Sequence, residues 1–317
     1  MSNHSQAKSY QQGAALLVFI AALVMTLAWL SYGLLGDLGQ KLKRQQAQDV
    51  GMVLAEVKEN LLVFAESIPE LYAGTSSEKS PGFLLCPDMR SLSDPDSGTS
   101  SGSCAWGTSN AIGRLPASKA GSVSEYFYFW SGEKNAGLSL WYSIADEYRY
   151  GATGYGSIYG NTINPVYGGL SPFNSSMMLD GNAVAAVVIA AGDPLASQLG
   201  RNHEQPASNQ WPQFLESPSG GATGASFLSR PAVATIPFND RVVGVSQAEF
   251  NDRMKRKVCS LARSSNWCSV TEFSALPATH WFKRFEWADS NGNGSGASRI
   301  CSINSGNVAG MNIQECP

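Results

Sequence analysis

Four stretches carry residue types whose spacing could do chemistry. GTSSG, from Gly98 to Gly102, has the Gly-x-Ser-x-Gly pattern of a serine-hydrolase elbow, with Ser100 as nucleophile. That mechanism needs a strand before the serine and a helix after it. The flanks here, SDPDS and SGSCAWG, are polar and turn-forming, so the segment reads as a solvated loop. DSNGNGSG places Asp289, Asn291, Asn293 and Gly294 as in the first half of an EF-hand loop, but Ile300 stands where the bidentate Glu belongs. Half a loop holds calcium weakly if other oxygens complete the shell; an ordinary Asn-Gly turn is the preferred reading. Asp88, Asp94 and Asp96 form a second, less specific oxygen-rich loop. RMKRK with Arg263 is a basic cluster that could track phosphates, though cations on a helix face near its C-terminus are more often solvated there.

Six cysteines, all downstream of residue 80, fall into three sequence-local pairs: Cys86 with Cys104, Cys259 with Cys268, and Cys301 with Cys316. An even count without Cys-x-x-Cys spacing points to disulfides made in an oxidising compartment. Zinc is disfavoured because His203 and His280, the only downstream histidines, lack ligand spacing. Local pairing is the simplest expectation among 15 connectivities.

The elements that must position these residues begin with a long apolar run. From Ala14 to Gly36 no side chain is charged, and at about 1.5 Å per residue the run can cross a bilayer core of roughly 30 Å. It is too long for the core of a cleaved secretory signal. Beyond it, Val50, Val53, Leu54, Val57, Leu61 and Phe64 keep helical spacing until Pro69. A polar, Ser-rich stretch from Ala73 to Ser80 separates this helix from a body rich in strand candidates: YFYFW at 126–130, LSLWYSI at 138–144, AVAAVVIAA at 183–191, AVATIPF at 232–238, RVVGVS at 241–246 and WFKRFEW at 281–287. The strand at 183–191 is apolar on both faces and is expected at the centre of a sheet. Ser246 with Glu249 makes a capping box ahead of a helix whose inward stripe is Phe250, Met254, Val258 and Leu261. WFKRFEW alternates Trp281, Lys283, Phe285 and Trp287 against Phe282, Arg284 and Glu286, and is expected to pack on the long helix. The Gly- and Tyr-rich stretch from Tyr148 to Gly169 reads as a loop whose tyrosines cover a core edge. A net charge of −3 in 317 residues gives no support to general nucleic-acid binding.

The N-terminus resembles the class III signal of type IV pilins and pseudopilins. A short polar leader, MSNHSQAKSYQQG, ends in Gly13 directly against Ala14 and the apolar run. The resemblance implies cleavage by prepilin peptidase between Gly13 and Ala14. It also implies a helix that sits in the inner membrane before assembly and among other pilin subunits afterwards. Val18 departs from the pattern, because it occupies the fifth mature position, where pilins usually carry glutamate. Its lack of charge is similar to the tip pseudopilin of type II secretion and to some minor pilins. Lys41, Lys43 and Arg44 after the span lean against export under the positive-inside rule; the cysteines and the resemblance outweigh them.

LLCPD, CAWG with GRLP, LWYSI, VVIAAGDPLASQ and FNDRVVGVSQAEF resemble signatures shared by large pilin-like proteins of proteobacteria. The resemblance spans most of residues 80–260 and implies an architecture rather than a chemistry. The expected fold is α+β: a long N-terminal pilin-type helix followed by a large, loop-rich, mainly antiparallel β domain. Residues 1–13 form the leader, 14–73 the helix (14–36 transmembrane, 37–73 amphipathic), and 74–317 the exported body. The expected role is that of a minor pilin or pseudopilin-like subunit, non-enzymatic, acting in assembly, priming or contact with a host or abiotic surface. The alternative is a membrane-anchored periplasmic binding protein or enzyme outside any filament.

Overall fold

In a computed structural model the described residues are 23, 25, 48–71, 73, 80–89, 94–95, 98, 100, 112–116, 140–145, 148, 177–192, 195, 198, 211, 213–216, 218–219, 226–231, 237–277, 280–284, 300–304, 307–311 and 316. The fold is α+β. The chain divides into two compact units, Met1–Met52 and Val53–Pro317. The first contributes only helical positions: 23, 25 and 48–52. Gly13, Ala14 and Val18 lie outside the described residues, and among the described residues no helix is long and apolar enough to cross a membrane.

Helix α1 (residues 48–71) forms because apolar side chains recur every three or four positions. Leu54, Val57, Leu61, Leu62, Phe64, Ala65 and Ile68 are buried along it, while Val50 and Val53, also expected to face inward, are half-buried. The helix runs on past Pro69 to residue 71, inside the expected bounds of 14–73, although Pro69 was expected to break its apolar pattern. Pro69 has no N–H to give the Ala65 carbonyl four residues back. That carbonyl instead accepts the N–H of Gly82 at 2.9 Å. Gly82 has φ 104°, a conformation that favours glycine, so the chain returning from the helix supplies the bond that proline removes.

The sheet is built around β4 (Asn182–Ala190), whose residues from Val184 onward are all buried. Val184, Val187, Val188 and Ile189 favour the extended backbone, and no polar side chain interrupts the run. β2 (Leu140–Ile144) pairs with it antiparallel, and β1 (Ile112–Arg114) pairs with β2. β7 (Arg241–Ser246) also pairs antiparallel with β4. β3 (Met178–Leu179) joins β4 through the two-residue turn Asp180–Gly181, with φ 50° and 80°. That is the Asp-Gly geometry whose twist suits a tight hairpin. β6 (Ser226–Phe227) pairs parallel with β3, and β5 (Pro218–Ser219) antiparallel with β6. The sheet is therefore mixed. Of AVATIPF, residues 232–236 lie outside the described set, and Pro237 and Phe238 are not in a strand; YFYFW is wholly outside it.

Helix α2 (Gln247–Ser264) packs on β4 and β7. Its start is as expected: the Ser246 hydroxyl accepts the Glu249 N–H at 3.1 Å. Phe250, Met254 and Val258 face inward, but the fourth inward position is Ala262 and Leu261 is only half-buried. Positions four apart stay on one face, and 262 continues the series 250, 254, 258. The helix ends in a Schellman turn, in which Asn266 (φ 53°) donates to Arg263 O at 3.2 Å and Trp267 to Ala262 O at 2.9 Å.

The C-terminal part corrects two expectations. WFKRFEW was expected to be a strand, but its first four residues form helix α4 (Trp281–Arg284), after the short α3 (Val270–Ala275). A strand would send Trp281 and Phe282 to opposite faces. Both are buried against Trp267, with ring centroids 5.5 and 4.9 Å away. The disulfides are not local: Cys259 bonds to Cys316, and Cys268 to Cys301. Cys268–Cys301 ties the segment after α2 to the hairpin of β8 (Cys301–Asn304) and β9 (Asn307–Met311), and Cys259–Cys316 ties α2 to the chain beyond that hairpin. Cys86 is also disulfide-bonded; Cys104, its expected partner, lies outside the described residues.

Candidate functional site

The described residue cluster with the densest chemistry is a charged seam between α1 and α2. On α1, Glu59, Glu66 and Glu70 are spaced by seven and four residues, which keeps them along one side of the helix. On α2, Arg253 and Lys257 are one turn apart. The Arg253 Nε donates to Glu66 Oε1 at 2.7 Å and its Nη2 to Glu66 Oε2 at 3.2 Å, a two-point clamp. The same guanidinium reaches Glu59 at 2.6 Å, and Lys257 reaches Glu70 at 2.6 Å. Lys58 completes the series by pairing with Glu249 at 2.6 Å.

The pairs ascend together along both helices, from Lys58 with Glu249 to Glu70 with Lys257, so the two helices run in the same direction along the seam. The apolar stripe of α1 alone permits small slides and rotations; the charges select one register. Hydrogen bonding from Arg253 holds the Glu59 carboxyl below the usual carboxylate range, against the opposing effect of burial. The two carboxylates raise the Arg253 pKa in return.

Two cations of RMKRK turn toward α1 in this seam, while Arg256 and Arg263 are exposed, as the solvated reading of the cluster expected. Arg253 and Lys257 are spent on α1, and Arg256 pairs with Asp252 one turn earlier on α2. Glu59, Glu66 and Glu70 were not singled out in the sequence. Their spacing matches the basic run, but nothing local says that segments 187 residues apart will meet.

The signatures quoted from the body meet in space as two polar knots. Asp88 of LLCPD and Arg114 of GRLP exchange backbone bonds of 2.9 and 3.0 Å and form a side-chain ion pair. The Asp88 side chain is 1% exposed and also accepts the Gly98 N–H at 2.8 Å. A Cβ on Gly113 would lie 2.6 Å from the Asp88 carbonyl oxygen, so only glycine admits this approach. The Asp88 carboxylate thus faces a guanidinium and an amide. Its place in an oxygen-rich calcium loop is corrected accordingly, since a cation there would compete with Arg114.

In the second knot, Gln198 of GDPLASQ donates to the Glu216 carboxylate, whose other oxygen accepts the Asn239 N–H at 3.2 Å. Asp240 of FNDR accepts the Glu216 N–H at 2.6 Å. Gly192 is required beside them, because a Cβ there would lie 2.4 Å from the Asn239 side chain. Glu216 links two signatures and belongs to neither, which is why it was missed.

Ser100 stands in neither a strand nor a helix. Asp289, Asn291 and Asn293 lie outside the described residues. Among the described residues, no group of three or more His, Cys, Asp or Glu side chains is arranged to hold a metal ion. Tyr148, first residue of the Gly- and Tyr-rich stretch, is buried edge-on against Phe250 at 5.0 Å; most of that stretch is outside the described set. No family model, curated protein or solved structure matches the chain.

Proposed function

We propose that this chain is a minor pilin- or pseudopilin-like subunit, cleaved after Gly13 and anchored in the inner membrane by the helix from Ala14. Its disulfide-bonded, mainly antiparallel β body then serves in filament assembly, priming or surface contact. The role is mechanical and non-enzymatic, with other pilin-type subunits and prepilin peptidase as partners. The observation that carries this reading is how residues 53–71 of α1 are built into the body. A buried stripe, a directional ladder of ion pairs and the Ala65–Gly82 bond together oppose sliding, rotation and peeling. A helix that passes load to a folded body needs all three, whereas a simple anchor needs none of them. Val18 supports a low-copy place, since it offers no carboxylate to neutralise a neighbouring N-terminal ammonium.

Intact-mass and N-terminal analysis of the membrane form, with and without prepilin peptidase, tests the proposal. The expected product begins at Ala14 only when the peptidase is present. Retention of residues 1–13 beside an active peptidase overturns the reading and favours a plain membrane anchor.

A further inference from the structure

We infer that this protein is a substrate of a thiol–disulfide isomerase, because its two C-terminal bridges cross the pairing that its unfolded chain prefers. The native bridges join Cys259 to Cys316 and Cys268 to Cys301, over separations of 57 and 33 residues. The competing local bridges, Cys259–Cys268 and Cys301–Cys316, span 9 and 15 residues. Loop closure scales as the three-halves power of length, so Cys259 meets Cys268 about 16 times more often than Cys316, and Cys301 meets Cys316 about threefold more often than Cys268.

Local structure strengthens the trap. The β8–β9 hairpin sets Cys301 opposite Met311, at the hairpin's open end, and the chain then needs only five more residues to reach Cys316. A Cys259–Cys268 bridge closes over the last turn of α2 and its Schellman turn. Both local bridges therefore close within short stretches of chain, and each must be undone before Cys301 can bond to Cys268 and Cys316 to Cys259. In the native fold the four cysteines are buried, with Cys259 2% and Cys301 0% exposed, so the rearrangement belongs to folding.

The exchange is electron-neutral. An isomerase thiolate attacks the Cys268 sulfur of the Cys259–Cys268 bridge, forming a mixed disulfide and releasing the Cys259 thiolate. Cys259 attacks the Cys316 sulfur of the Cys301–Cys316 bridge, making the first native bond and releasing Cys301. Cys301 then attacks Cys268 in the mixed disulfide, making the second native bond and returning the isomerase thiolate. Two bonds break and two form, with no oxidant or reductant consumed.

The test reoxidises the full chain in detergent from the reduced, unfolded state with diamide and no added thiol, and maps bridges by peptide mass spectrometry without reduction. The local pairs are expected to exceed the native pairs about tenfold or more. A catalytic amount of reduced Cys-x-x-Cys isomerase should then convert them to Cys259–Cys316 and Cys268–Cys301. An isomerase lacking its second cysteine should be captured as a mixed disulfide on one of these four residues. Native bridges dominating in diamide alone would overturn the inference, as would local bridges that the isomerase fails to convert. The variant Cys268→Ala/Cys301→Ala removes both local competitors, and Cys259–Cys316 should then form at the same yield with or without isomerase. Persistent dependence on isomerase in that variant would also count against the inference.

Discussion

Asp88–Arg114 and Glu66–Arg253 join the same two functional groups in different surroundings. The first pair is sealed, with side chains 1% and 12% exposed; the second is half-open, at 24% and 21%. A third pair, Asp252–Arg256, is more than half exposed on both sides. The attraction between charges rises as water is excluded, but so does the cost of stripping each ion of its hydration. Burial therefore sets less how much a pair adds than how much is lost when one partner goes. The sealed pair reinforces two chain segments that also exchange two backbone hydrogen bonds, the half-open one registers two helices, and the exposed one trims a single helix.

The sealed pair gives the largest expected effect. Arg114→Leu leaves the Asp88 carboxylate buried beside Gly98 N–H without its counter-charge, and should cost about 3–5 kcal/mol in urea unfolding of the full chain in detergent. Replacing both members by apolar residues of similar volume should recover most of that loss. If the double variant is as unstable as the single one, the value of the site lies in hydrogen bonding and not in charge pairing. Gly113→Ala tests the same site through shape. Its methyl would meet Asp88 O at 2.6 Å and the Met89 Sδ at 2.6 Å, and the backbone side of that contact cannot yield, so a loss of about 1–3 kcal/mol is expected.

The half-open seam should respond less to mutation and more to solution conditions. Arg253→Met keeps the aliphatic stem and removes the charge; a loss of roughly 1 kcal/mol is expected, shrinking in high salt. Acid should act on the same bonds. The Glu59 carboxyl is held below its usual range by Arg253, so its contribution is complete above the ordinary glutamate pKa of about 4.3 and is lost as pH falls through the depressed value. Urea midpoints measured from neutral pH down through that range should fall in the parent. In Arg253→Met the Glu59 share of the fall should vanish, and an unchanged acid response would show that Arg253 is not the source of the shift.

What the sequence discloses follows the range of the interactions. The Ser246–Glu249 cap and the stripe of Phe250, Met254 and Val258 are set within about four residues, and both were legible. The run at 183–191 was legible as a central strand because continuous burial needs continuous apolarity. WFKRFEW misled because its alternation was read as a strand, whereas a single helical turn buries the neighbours Trp281 and Phe282 around Trp267. The cap on that turn, Phe282 N–H to His280 Nδ1 at 3.2 Å, comes from a side chain not usually read as a helix start. The disulfides misled for another reason: proximity in sequence governs which bridges form first, and the folded state governs which survive. Of the seam only the basic cluster was legible; Glu59, Glu66 and Glu70 went unread, and so did their meeting with it.

The exposed pair completes the comparison at the smallest effect. Asp252 lies four residues before Arg256, the favourable order along a helix dipole. With both side chains more than half exposed, water already solvates each ion well, and Arg256→Ala should cost about 0.3–0.5 kcal/mol. Salt should erase that difference, because screening acts fully on charges that face solvent. Lys257→Ala offers an internal check, as Lys257 is 25% exposed but its partner Glu70 is 51% exposed. Its effect should fall between those of Arg256 and Arg253. Should Arg256→Ala cost as much as Arg253→Met, burial would not be what separates these pairs, and α2 would owe its stability to its own surface more than to its junction with α1.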